Sequence, residues 1–191
     1  MKTMRETYFE NFAKEQTPAG DRRGFRTKYR YIGKWLDWDL SGQQRRREKL
    51  LLAAVEGLSI AAYLAASLQR ASFNTQRLSS GIFVLALIPW IAEIWGVAKL
   101  IMTGKPMMLP DFDEIRNCIT IGSTVRMVLI AAGVIAGLAA LIPAGTAGGL
   151  SIAAACGHLI SGAASFIIFR RYTALPYDYT DQTSDSAVRP E

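Results

Sequence analysis

The chain has a single histidine, His158, and only two cysteines, Cys118 and Cys156, far apart and in no Cys-x-x-Cys motif. Zinc and haem centres of the usual kind draw on several such ligands, so neither is expected. The two cysteines fall at or within apolar runs and read as small packing residues, not as a redox pair. Phosphate-cradling glycine loops are also missing: the glycines lie in apolar stretches. There is no GxSxG and no HExxH. Ser123 and Thr124 have no histidine base within sequence reach. No cofactor is expected, and an enzymatic role is not the expectation either. The first twenty residues are polar and lack an apolar core, so no cleavable signal peptide is expected there.

What the chain does have is an uneven split. Residues 1–49 hold most of the basic residues, while residues 50–170 are dominated by long apolar runs. A soluble domain does not divide this way. Crossing a bilayer takes about 20 apolar residues at about 1.5 Å each. Four runs qualify, at about 50–68, 81–102, 118–142 and 148–169. The expected fold is therefore an all-α integral membrane protein with four transmembrane helices. The fourth run, rich in Gly, Ala and Ser, suits burial against other helices.

Local signals place the ends of these helices. Ser41 and Gln44 form a capping-box pattern that opens the first helix at Gly42. Ser79 or Ser80 is a candidate cap for the second. Asp111 and Glu114, after Pro110, form a second capping-box pattern for the third. Residues 143–149 read as a turn. Pro89, inside the second run, is expected to kink it unless its neighbours reorganise around it.

Orientation follows from the basic residues. Arg45, Arg46, Arg47, Lys49, Lys99, Lys105, Arg116, Arg170 and Arg171 flank one set of helix ends. The other set has only Arg70 and Arg77. Positive residues stay inside, so both termini are expected in the cytoplasm.

Each run carries one main ionisable residue: Glu56, Glu93, Arg126 and His158. Counted from the expected cytoplasmic face at 1.5 Å per residue, they lie about 10, 15, 13 and 18 Å deep. A charge in hydrocarbon is costly and is rarely there without a partner or a task. Glu56, Ser59, Tyr63 and Ser67 recur at helical spacing in the first run. Ser151, His158, Ser161 and Ser165 do so in the fourth. Gly133 and Gly137 follow Arg126 on one side of the third, where small residues let helices approach. The expectation is one polar cluster inside a four-helix bundle. Two carboxylates against one guanidinium leave one negative charge, to be met by a proton or a cation. Such a site is the basis of an ion-pair lock, of a proton or cation relay, or of a ligand-facing site. In this setting His158 is expected as a helix–helix hydrogen bonder.

The basic arm, residues 1–49, is too short and too charged for a large domain. Phe25, Tyr29, Ile32, Leu36 and Leu40 recur at helical spacing with basic residues between them. An amphipathic interfacial helix over about 25–40 is expected, on the cytoplasmic surface of a membrane with anionic headgroups. Arg22, Arg23, Arg26, Lys28, Arg30, Lys34, Trp35 and Trp38 are its candidate membrane contacts. Basic residues with interleaved aromatics can also bind single-stranded nucleic acid. Beside a membrane the lipid reading is preferred, and no nucleic-acid partner is expected. Residues 104–110 read as an interfacial loop and residues 171–191 as a polar, disordered cytoplasmic tail.

The functional expectation is a small, non-enzymatic accessory subunit or scaffold, forming a homo-oligomer or part of a larger membrane complex. A proton- or cation-coupled transporter built on Glu56, Glu93, Arg126 and His158 is the alternative.

Overall fold

The structure, a computed structural model, describes residues 12–18, 25–104, 106–143 and 148–180. The chain is mostly helical and divides into two compact units. One comprises Met1–Asp39, Gly104–Asp113 and Tyr177–Glu191; the other comprises Leu40–Thr103 and Glu114–Pro176.

The first unit is built from strands. β1 (Phe12–Pro18) and β2 (Phe25–Tyr31) form an antiparallel hairpin, with Phe12 opposite Tyr31 and Pro18 opposite Phe25. β3 (Trp35–Trp38) is the centre of a second sheet. It pairs antiparallel with β4 (Met107–Met108) on one side and with β5 (Tyr177–Thr180) on the other. The helix expected over about 25–40 does not form. In β2, Phe25, Thr27, Tyr29 and Tyr31 alternate with basic residues. That period of two, with aromatic and β-branched members, outweighs the looser four-residue spacing. Gly33 then separates β2 from β3. The interfacial loop and the disordered tail need the same correction, because each supplies a strand to β3 and the helix before the tail runs on to Thr173. Residues 181–191 lie outside the described residues.

Tyr31 ties this unit together. Its hydroxyl donates to the Lys34 carbonyl at 2.9 Å and accepts from the Leu109 N–H at 3.1 Å. Its ring stands edge-on to Phe12 and to Trp35. Burial pushes the phenol above its ordinary value, so it remains a neutral donor at physiological pH.

The second unit is a helical bundle. Its helices are α1 (Gly42–Ser67), α2 (Arg77–Met102), α3 (Leu109–Leu141, which begins in the first unit) and α4 (Gly149–Thr173). All four are long and apolar enough to cross a membrane. They leave large aliphatic side chains exposed, among them Leu85, Ile88, Ile91, Val128 and Ile135. This surface fits a small membrane protein, since a water-soluble bundle buries most of it.

The helix ends follow local chemistry. The Ser41 hydroxyl accepts from the Gln44 N–H at 3.3 Å, and the Gln44 side chain accepts from the Ser41 N–H at 3.0 Å, closing the expected capping box. Asn74, on the single turn Ser72–Thr75, donates to the carbonyls of Ala66 and Gln69 and so satisfies the end of α1. Lys49 donates to the Ile101 and Thr103 carbonyls at the end of α2, where a cation is favoured. Two expected caps are replaced. α2 starts earlier, at Arg77, and Ser79 and Ser80 instead donate to preceding carbonyls. α3 starts at Leu109, because Pro110 suits a first helical turn. That start frees Glu114 to bond Trp95 at 2.9 Å and Lys99 at 2.6 Å across to α2. Pro89 sits within α2, which is helical without interruption from Arg77 to Met102.

Candidate functional site

α1 packs along α4, and small residues set the spacing. A Cβ on Gly157 would stand 2.8 Å from the Ala66 side chain and 3.2 Å from the Ala62 carbonyl. α2 and α3 meet in the same way at Gly122, where a Cβ would lie 2.8 Å from the Pro89 carbonyl and 3.0 Å from the Glu93 nitrogen. Gly122 is one turn before Arg126, so the contact that only glycine permits also brings Glu93 to Arg126. Gly133 and Gly137 do something else. Their faces are filled by the rings of Phe83 and Phe73, so they seat aromatics and not a neighbouring backbone.

Arg126 is fully buried, at 0% exposure. Its Nη1 donates to Glu93 Oε2 at 3.1 Å and to the Ser165 hydroxyl at 2.8 Å. Its Nη2 donates to the Ser59 hydroxyl at 2.8 Å and to the Ser161 hydroxyl. Ser165 in turn donates to Glu93 Oε2 at 3.0 Å. Ser59 and Ser161 lie 3.2 Å apart, and the Ser161 hydroxyl reaches the Ser59 carbonyl at 3.2 Å. One guanidinium on α3 thus binds partners on α1, α2 and α4. The planar fork of arginine makes this possible, because it directs several donors at fixed angles.

Glu56 joins through an aromatic bridge. The Trp90 indole N–H donates to Glu56 Oε1 at 2.8 Å, and the Arg126 guanidinium lies over the Trp90 ring, 4.1 Å from its centroid. That placement is a cation–π contact in a desolvated setting. The second Glu56 oxygen is buried with no hydrogen-bond partner among the described residues.

His158 stands apart from the charged network. It makes no helix–helix hydrogen bond, contrary to expectation. Its ring stacks on Phe83 at 3.9 Å and 10° and meets Tyr63 edge-on at 5.1 Å. Tyr63 also touches Trp90, at 4.8 Å between centroids, and donates its hydroxyl proton to the Phe83 carbonyl. The hydroxyl is therefore turned to backbone, and only ring contact links His158 to Trp90. On the buried face of α4, Ser151, Ser161 and Ser165 are all enclosed.

Of the candidate membrane contacts, Arg22 and Arg23 lie outside the described residues. Arg26, Lys28 and Arg30 belong to β2 and not to a helix. Lys34 lies over the Tyr179 ring at 5.8 Å. Trp35 is half-buried, and Trp38, at 3% exposure, faces the interior. No group of three or more His, Cys, Asp or Glu placed to hold a metal occurs among the described residues.

Sequence reasoning named Ser59 in the stripe with Glu56 but missed two contributors, Trp90 and Gly122. Trp90 stands about one helical turn before Glu93, yet nothing in the spacing marked it as the bridge between Glu56 and Arg126. Gly122 carried no signal beyond its residue type.

The chain matches no protein-family model, no curated protein and no solved structure.

Proposed function

We propose that the protein is an integral membrane protein of four spans with both termini on the cytoplasmic side. In this reading the bundle is a non-enzymatic accessory subunit or scaffold, packed against a second copy or within a larger membrane complex. The supporting observation is Arg126: with no exposure, it has hydrogen-bonding partners on each of the other three helices. Breaking such a buried pair strands a charge and costs about 3–5 kcal/mol, so the network acts as a lock on helix arrangement. The basic residues beside the helix ends support the orientation and a preference for anionic headgroups.

Native mass spectrometry of the protein extracted from its own membrane in mild detergent tests this reading. A stoichiometric larger partner or a defined homo-oligomer supports it. A bare monomer contradicts it.

Proton- or cation-coupled transport is the second reading, and Glu56 is the observation that favours it. Two carboxylates near one guanidinium leave a surplus negative charge, and Glu56 has a buried oxygen with no partner among the described residues. Under this reading, reconstituted vesicles show pH-dependent flux that Glu56→Gln and Glu93→Gln abolish. Under the lock reading, no such flux appears.

A further inference from the structure

We propose that the cavity beside His158 is a binding site for a neutral, membrane-dissolved ring compound of the quinone or quinol class. The cavity has a volume of about 250 Å³ and lies between α1, the turn Ser72–Thr75, the start of α2, and α4. Tyr63, Phe83 and His158 form its aromatic wall. An apolar cavity of about 150 Å³ already holds a benzene ring, so this one has room for a substituted single ring.

His158 supplies the recognition. It is only 1% exposed, yet both ring nitrogens are without a hydrogen-bond partner among the described residues. Buried polar groups are rarely left this way, and each such group costs about 1–3 kcal/mol. An imidazole carries an N–H donor in either tautomer, so a ligand carbonyl or hydroxyl oxygen satisfies it once the ring turns to open that enclosed nitrogen to the cavity. Ser67, Asn74 and Ser80 add hydrogen-bonding groups to the same lining.

The rest of the lining narrows the ligand class. Neither a carboxylate nor a Lys or Arg is among the lining residues, so nothing there would balance a phosphate or an ammonium headgroup. A plain acyl chain would fill the space and leave the imidazole unsatisfied. Val84, 62% exposed, lines the cavity and also lies on the apolar outer surface of α2. It marks a route by which a hydrophobic tail leaves toward lipid. A flat ring with carbonyl or hydroxyl groups and an apolar tail meets all of these conditions. The proposal is independent of the lock reading, because no residue that bonds Arg126 lines the cavity.

His158 is the only histidine, so its imidazole ¹⁵N resonances report on this site without ambiguity. The experiment titrates the full-length protein, ¹⁵N-labelled at histidine and held in nanodiscs, with a decyl-tailed benzoquinone. Decane serves as the control with a matching tail and no oxygen. The expected result is a saturable, single-site shift with the quinone and none with decane. Val84→Trp, which fills the opening from an exposed position, should abolish the shift without changing the melting temperature. His158→Phe should weaken binding at least tenfold, as read by tryptophan quenching. No shift, a shift linear in concentration, the same shift with decane, or binding indifferent to both variants would overturn the proposal.

Discussion

Arg126 is the hub of the bundle's polar interior. Its donors reach Glu93, Ser59, Ser161 and Ser165, and its face rests on Trp90. Arg126→Ala should lower the melting temperature in mild detergent by about 10 °C, since a lost buried partner costs about 3–5 kcal/mol. Arg126→Lys should recover little of that loss, because an ammonium has no planar fork to span four ligands. Differential scanning fluorimetry checks both. Ser161→Ala should cost less, about 1–2 kcal/mol, because one donor is then stranded while the ion pair remains. The charged members of this site were legible in the sequence, since ionisable residues in apolar runs stand out. Their arrangement was not. Depth along a helix says which residues share a level, but rotation about the helix axis decides which of them touch. That rotation put His158 among Tyr63, Phe73 and Phe83, away from the charges at a similar depth.

Between elements, glycine at close approach does the positioning. A Cβ at Gly122 would press on the Pro89 carbonyl and on the Glu93 backbone, neither of which can rotate away. Gly122→Ala should therefore cost about 1–3 kcal/mol and weaken the Glu93–Arg126 pair along with the helix contact. Gly81→Ala, with open space around its added carbon, is the control that should be neutral or slightly stabilising. The central strand β3 offers a test of opposite sign. Asp37 stands directly opposite Asp178 on β5. Like charges in that position oppose pairing, so Asp178→Asn should stabilise the sheet by about 0.5 kcal/mol, seen as slower amide exchange in β3. The helices were legible because their apolar runs are long. The strands were not: β3 and its partners are four residues or fewer and meet only through chain segments far apart in sequence. β2 was misread for another reason. Its aromatic residues satisfy two periodicities at once, and the shorter one prevails when a partner strand is present to pair with it.

Across the whole molecule, β3 gathers the N-terminal arm, the segment between α2 and α3, and the C-terminal segment into one sheet. In the proposed orientation, the basic residues beside the helix ends keep those three segments in the cytoplasm. Accessibility labelling of single cysteines in intact cells checks the orientation: a cysteine placed at Gln76 should react with an impermeant reagent, and one placed at Asp39 should not. The apolar outer faces and the buried ion pair are complementary parts of the same design. In the proposed membrane setting lipid surrounds the bundle, while the polar network inside holds helices that lipid alone would let slide, because hydrocarbon offers no hydrophobic drive between them.

In the lock reading, Glu93 and Arg126 form one buried unit that holds the bundle together. A double-mutant cycle in nanodiscs tests this, comparing Glu93→Leu, Arg126→Leu and the double variant by unfolding free energy. The lock predicts that either single variant loses several kcal/mol and that the double variant recovers at least about 2 kcal/mol of the summed loss. Additive losses, or single variants as stable as the parent, would contradict it.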